Sequence, residues 1–420
     1  MSATSAATPT RTANVFVLGI LFLNSLGAGV LIPVLPALVE QLTGREPEAA
    51  GLVNGLLLSV YAGATFLFSP LLGRLSDRLG RRPVLLLAAM GAMLDYALCA
   101  LANTFAILLV ARALAGVFGA STTVANAALA DITPAEDRGA SFGRSSAVTG
   151  VGLICGPLIG GALMEWGLRL PFIAACVLAA CELGFGLVFF PETLREMSPR
   201  RIGLIDVNPL AAVRRFRELP VPAPLLLALI LFQLAGSAGQ AVLVLFVQAR
   251  LGWNGVQVGL LMTTLACTSI VVRFLGVRAA LALFGEAGAI LAGLCFFAAG
   301  TLALAYVTTG WQLYAAVIFG QVGTLAAPVM FGLLSRAVPA QMQGEALGTV
   351  TSTLAVAVMI APLLGAVAFG RSGIQAMIHG GEPVFVLCAL LLLVAVAAVA
   401  WGLWADIGRY SNYRDEEVAE

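Results

Sequence analysis

Three ionisable side chains stand inside runs that are otherwise apolar. Asp95 lies in residues 83–102, Arg112 in 104–129 and Glu182 in 170–190. Each run holds the roughly 20 apolar residues that cross a bilayer. A charge at that depth is costly, which makes it a functional candidate by default. Asp95 falls seven residues before the end of its run and Arg112 about eight residues into the next. At ~1.5 Å of rise per residue, both sit ~10–12 Å below one surface. They are placed to pair, either as a static ion pair or as partners that exchange while a proton moves. Glu182 is midway along its run, where hydrocarbon disfavours the charged carboxylate. That setting suits proton exchange, and equally a permanently neutral buried acid. Arg273, near the end of residues 254–277, reads as a side chain snorkelling to the surface or as part of a gate.

The densest charge is the stretch from Gly73 to Pro83, where Asp77 sits among Arg74, Arg78, Arg81 and Arg82 between two apolar runs. Glycines at 73 and 80 allow a tight turn and close helix approach. The stretch is either a solvated loop that sets topology or a latch formed by Asp77 and Arg81. The pattern Gly73, Asp77, Arg78, Gly80, Arg81, Arg82 resembles the cytoplasmic signature loop of the major facilitator superfamily. The resemblance implies that Asp131 accepts Arg81 and that Asp77 faces the start of an eleventh span near Gly344. Those contacts would hold an outward-open state.

The elements that must carry these residues are membrane helices. Of 420 residues, 60% are hydrophobic and 11% charged, against roughly 25% charged in soluble domains. Apolar runs number twelve, near 14–38, 51–72, 83–102, 104–129, 141–164, 170–190, 223–248, 254–277, 286–307, 310–334, 344–369 and 383–404. The first is read as a span and not as a cleaved signal peptide. With an even count both termini share one side. Of the 23 basic residues, all arginines, seventeen fall on the side of the termini and four on the other. The expected location is therefore the plasma (inner) membrane, with both termini cytoplasmic.

The polar stretch 191–222 divides the spans six and six. Within it, Asn208-Pro209 starts a basic segment through Arg217, either a helix on the inner leaflet or a plain linker. The halves echo each other at an offset near 205. Pro134-Ala135 recurs as Pro339-Ala340, Pro157-Leu158-Ile159-Gly160 as Pro362-Leu363-Leu364-Gly365, and Gly116 and Gly119 as Gly320 and Gly323. The expected fold is an all-α integral membrane protein of twelve helices in two pseudo-symmetric bundles, 1–190 and 223–420, with a substrate site between them. The second copy of the charged loop, Gly276–Glu286, has no acid matching Asp77, so the latch is expected to be asymmetric and concentrated in the first half.

Gly143, Gly152, Gly156, Pro157, Gly160 and Gly161 follow G-x8-G-x3-G-P-x2-G-G. Small residues let helices approach closely. The whole pattern is similar to the fifth-helix signature of the drug/proton antiporter branch of the superfamily. Arg112, Gly116 and Gly119 resemble another motif of the family, linked there to proton handling. Ile32–Pro36, Ser76–Leu87, Leu94-Asp95-Tyr96 and Leu251-Gly252-Trp253-Asn254 look like the metal-tetracycline/proton antiporters, which exchange a tetracycline–metal chelate for a proton. The chain departs at three of that family's membrane positions: its first-span acid falls on Asn24, its eighth-span histidine on Ser269 and its ninth-span acid near Phe297.

The expected function is multidrug efflux of the antibiotic-resistance kind: proton-coupled export of amphipathic drugs or metabolites, with tetracycline the less expected cargo. A facilitator or a differently coupled carrier is the alternative. Asn24, Asn126, Phe142, Gln233, Gln240, Gln321 and Met330 are the candidate cavity lining, sparse polar groups and apolar contacts of the kind binding sites use. No cofactor is expected; a proton gradient drives transport, and a metal would enter only chelated by substrate. The partners implied are a small-molecule substrate, protons and the lipid bilayer, for a monomer that binds no nucleic acid, since net charge is +1. Catalysis is not expected: the one histidine, His379, falls in a loop, and no nucleophile elbow or metal-ligand cluster is present. The seven cysteines lie in apolar runs and read as packing residues.

Overall fold

The computed structural model describes residues 7–44, 47–119, 121–134, 137–194, 222–338, 343–369 and 382–416. The basic segment at 208–217, His379 and the Pro339-Ala340 repeat lie outside the described residues. The elements are α1 (Ala7–Thr43), α2 (Pro47–Leu79), α3 (Arg81–Leu101), α4 (Phe105–Phe118), α5 (Ser121–Ile132), α6 (Arg138–Met164) and α7 (Leu170–Phe189). They continue with α8 (Ala223–Leu251), α9 (Gly255–Val271), α10 (Val277–Ala305), α11 (Gly310–Val322), α12 (Ala326–Arg336), α13 (Gln343–Phe369) and α14 (Pro383–Glu416). Lipid offers the backbone no hydrogen bonds, so apolar chain must satisfy its own amides, and helices do this within one segment.

Among the described residues, eleven helical stretches are long and apolar enough to cross a membrane. One of them, Gly255–Ala305, has 51 residues and would run about 76 Å, more than twice a bilayer core of roughly 30 Å. It is broken at Gly285, whose φ of 65° and ψ of −175° leave the helix. This stretch therefore supplies two crossings, divided where the apolar runs 254–277 and 286–307 meet, and the twelve-helix fold follows.

The chain gathers into two compact units, Met1–Ala211 with Leu243–Ala266 and Ala212–Val242 with Cys267–Glu420. In the first, one core joins Leu35, Leu38, Leu57, Leu108 and Phe172, and another joins Phe16, Ile20, Leu85, Leu129 and Phe190. Its closest helix pair is α1 with α6. The glycines of α6 make this possible: a Cβ added at Gly152, Gly156 or Gly160 would lie 2.7, 2.6 or 2.5 Å from the carbonyl oxygens of Phe22, Leu26 and Val30. Gly161 and Pro157 likewise meet Gly255 and Gly259 of α9. Gly143 has open space around it, so it is not part of this packing. In the second unit α10 lies against α11 and α14, with Gly300 on Gly320 and Gly365 on Ala238. Large apolar side chains such as Val188, Leu390 and Leu393 point outward, as a lipid-facing surface requires.

Candidate functional site

α3 and α4 bring Asp95 and Arg112 together, as their depths implied. Arg112 Nη2 donates to both carboxylate oxygens of Asp95 and to Cys99 Sγ at 3.4 Å. The two residues are 2% and 5% exposed, so the pair is cut off from water. Arg112 Nε is buried without a hydrogen-bond partner among the described residues. A buried pair gains Coulomb energy only by losing hydration, and removing one partner strands the other. Gly116, one turn further along α4, lets that helix press on the backbone of Tyr61 in α2.

Glu182, from α7, is 8% exposed and faces a crevice shared with Asn24 and Gly27 of α1 and Tyr96 of α3. It makes no hydrogen bond or ion pair among the described residues. Arg112, an arginine buried within the helices of this unit, is already engaged by Asp95.

The charged loop folds around Arg81. α2 ends at Leu79, and the chain turns through Gly80 at φ 101°, a value L side chains rarely adopt. Arg81 then reaches back, donating from Nη1 to Ser76 Oγ and Asp77 Oδ1, both at 2.6 Å, and from Nε to Asp131 Oδ2 at 2.9 Å. The guanidinium is 9% exposed against 50% and 26% for the two acids, so Arg81 is the buried centre of the network. Arg82 Nη2 donates to the Leu187 carbonyl at 2.8 Å. Arg78 is exposed and takes no part among the described contacts. Gly73 lies inside α2 with nothing within 4 Å of an added Cβ, so close helix approach is not its role. Gly80 alone carries the turn.

A residue absent from the sequence reading completes this site. Glu192 follows α7, and its Oε1 accepts from the amides of Arg81 at 2.8 Å and of Thr193 and Leu194 at 3.0 Å; its Oε2 accepts from the Arg82 amide at 3.1 Å. It thus satisfies orphan donors at the start of α3 and complements the positive end of that helix. The available signal was an acid standing alone directly after a span, at the head of an arginine-rich linker.

The second unit repeats the arrangement with the charges exchanged. At an offset of 205, Gly80 corresponds to Gly285, Arg81 to Glu286 and Asp131 to Arg336. Gly285 also has positive φ, 65°, and Arg336 Nη2 donates to Glu286 Oε1 at 2.5 Å. The second half thus holds one ion pair where the first holds a network, so the charged arrangement is asymmetric. The side chains of the second pair are 63% and 41% exposed, so it is the weaker clasp.

The candidate lining residues divide between the units. Asn24 lines the crevice, Asn126 Oδ1 accepts from Ser145 Oγ at 3.0 Å, and Phe142 is exposed. In the second unit, Gln233 Nε2 donates to Ser237 Oγ at 3.2 Å, Gln240 is exposed, Gln321 Oε1 is buried without a hydrogen-bond partner among the described residues and Met330 is fully buried. Phe297, at the ninth-span position, packs on Phe232 with ring centroids 5.1 Å apart. Among the described residues, no three His, Cys, Asp or Glu side chains group as metal ligands would.

The profile of the Major Facilitator Superfamily matches residues 17–281. The chain belongs to the Major Facilitator Superfamily. Within that superfamily it is 34% identical over 391 residues to the tetracycline resistance protein, class C, of Escherichia coli, covering 93% of this chain and 97% of the other. It is 36% identical over 364 residues to the class D protein of Salmonella ordonez, covering 85% and 90%. The crystal structure of the human organic anion transporter MFSD10 matches with a TM-score of 0.67 at 23% identity, covering 93% of this chain and 99% of that one, a likeness of fold. Membership makes the chain a multi-pass membrane transporter of small molecules.

Proposed function

We propose that this superfamily member is a secondary active transporter that exports amphipathic drugs or metabolites, tetracycline-like molecules among them, in exchange for protons. The observation that carries the reading is the buried Asp95–Arg112 pair inside the membrane-spanning helices of a chain similar from end to end to tetracycline resistance proteins. A pair sealed from water is expensive to keep for packing alone. It becomes useful when protonation of Asp95 releases Arg112 to another partner. Glu182 is a second candidate for proton handling.

In this reading two bundles, 1–190 and 223–420, joined by the linker 191–222, alternate access to a pocket that draws on Asn24, Asn126, Phe142, Gln233, Gln240, Gln321 and Met330. Arg81, Asp77 and Asp131 brace the cytoplasmic face while the pocket opens outward. Both termini are cytoplasmic in the plasma membrane, and the protein works as a monomer. It performs no catalysis and needs no cofactor, and any metal arrives bound to substrate.

Proteoliposomes with an imposed pH gradient test this. Uptake of tetracycline or a fluorescent drug should follow the gradient and collapse with an uncoupler, and Asp95→Asn should lose the gradient dependence. Equal exchange with and without the gradient makes the protein a facilitator and refutes the proposal.

A further inference from the structure

The crevice between α1, α3 and α7 combines features that the proton-coupling reading does not require together. Glu182 is more than nine-tenths buried, without a hydrogen-bond or ion-pair partner among the described residues, and lines it. Apolar walls from Leu23 and Leu178 flank the carboxyl, and Asn24 and Tyr96 supply the nearby polar atoms. The Tyr96 hydroxyl lies so close to Gly27 that an added Cβ there would collide with it, so glycine at this position makes room for the ring beside the crevice. The opening has about 10 Å³, room for about one water-sized group.

These features select among ligands. A whole drug does not fit, but a charged head can enter while its body stays on the apolar wall. An anion is repelled by the carboxylate. A hard metal ion needs six or more oxygen ligands, and one carboxyl, one amide and one phenol fall short. A protonated amine needs one carboxylate and a few acceptors, gains from an aromatic face, and brings the charge that lets Glu182 ionise in an apolar setting. We propose that this crevice is a subsite for the ammonium head of aminated substrates, with Glu182 as counterion and Tyr96 and Asn24 as its flanks. This names a substrate class for the exporter and so rests on the reading above.

The test uses binding, which needs no gradient and stands apart from proton coupling. Dansylcadaverine carries a primary ammonium, and its N-acetyl derivative has the same body without the charge. Purified full-length protein should bind the amine about thirtyfold or more tighter, since stranding one member of a buried charge pair costs at least that much. Glu182→Gln should abolish the difference while leaving the acetyl derivative's affinity unchanged, and Glu182→Asp should retain part of it. In the wild type, dansylcadaverine and not its acetyl derivative should protect Glu182 from a hydrophobic carbodiimide, read by peptide mass spectrometry, so the proposal stays testable if the variants do not fold. Equal affinities for the two probes, equal loss of both in Glu182→Gln, or carbodiimide labelling indifferent to the amine each overturns the subsite. Gradient-driven export of neutral drugs would survive that outcome, because it tests the broader function alone.

Discussion

Replacing Gly156 by Ala puts one methyl where α1 and α6 touch. The new Cβ would lie 2.6 Å from the Leu26 carbonyl oxygen and 2.7 Å from Gly29 Cα. Ordinary contact begins near 3.4 Å, so the overlap is about 0.8 Å. Both obstacles are backbone, so no side chain can rotate away, and the helices must part by roughly that distance. Overpacking of this kind costs about 1–3 kcal/mol, and the neighbouring contacts at Gly152 and Gly160 would be prised open with it. The same substitution at Gly143, thirteen residues earlier in the same helix, meets nothing within 4 Å. There alanine should gain the helix propensity glycine lacks, about 0.5–1 kcal/mol.

The assay is thermal unfolding of the purified variants in one detergent, alongside drug export. Gly156→Ala should lower the midpoint and cut transport together, while Gly143→Ala should leave the midpoint level or raised. If Gly143→Ala costs as much stability as Gly156→Ala, close packing is not what the glycines of this helix supply. If Gly143→Ala keeps its stability yet loses transport, that position acts in the conformational cycle and not in the packing described here.

Asp95→Asn should destabilise the protein by about 3–5 kcal/mol by stranding Arg112, and the double variant Asp95→Asn/Arg112→Gln should recover much of that loss; equilibrium unfolding of the three proteins checks it. Glu192→Gln should cost about 1–2 kcal/mol by weakening charged hydrogen bonds to the start of α3, and amide exchange at Arg81 and Arg82 should speed up. Exchanging the exposed pair as Glu286→Arg/Arg336→Glu should leave stability within about 1 kcal/mol of wild type. The corresponding exchange at Arg81 and Asp131 should lower it by more, because Arg81 also holds Ser76 and Asp77; parallel melts compare the two.

Chemistry that depends on position along one helix was readable from the chain. Asp95 and Arg112 could be paired by counting residues from a shared membrane surface, because rise per residue is fixed. Arg81 with Asp131 came from the resemblance of the charged loop. Reach between distant elements was not readable. Glu192 caps α3 across 111 residues of sequence, and nothing in its own neighbourhood announces a helix start elsewhere. Gly73 and Gly143 belong to the same motifs as Gly80 and Gly156, yet only the latter members meet a neighbour or take a positive φ. A motif records which residues recur together, whereas contact depends on which face each residue presents.

The repeat carries a further lesson about what duplication conserves. Gly80 and Gly285 both turn the backbone through positive φ, and the residue after each is paired 50 positions on. The turn is set by a backbone conformation only glycine adopts cheaply, so glycine stays. The pair is set by opposite charge, which survives if both signs change. Arg336 in the last turn of α12 faces the negative helix end with the favourable sign, whereas Asp131 near the end of α5 does not and depends on Arg81. Asp131 should therefore lose more than Arg336 when its partner is removed.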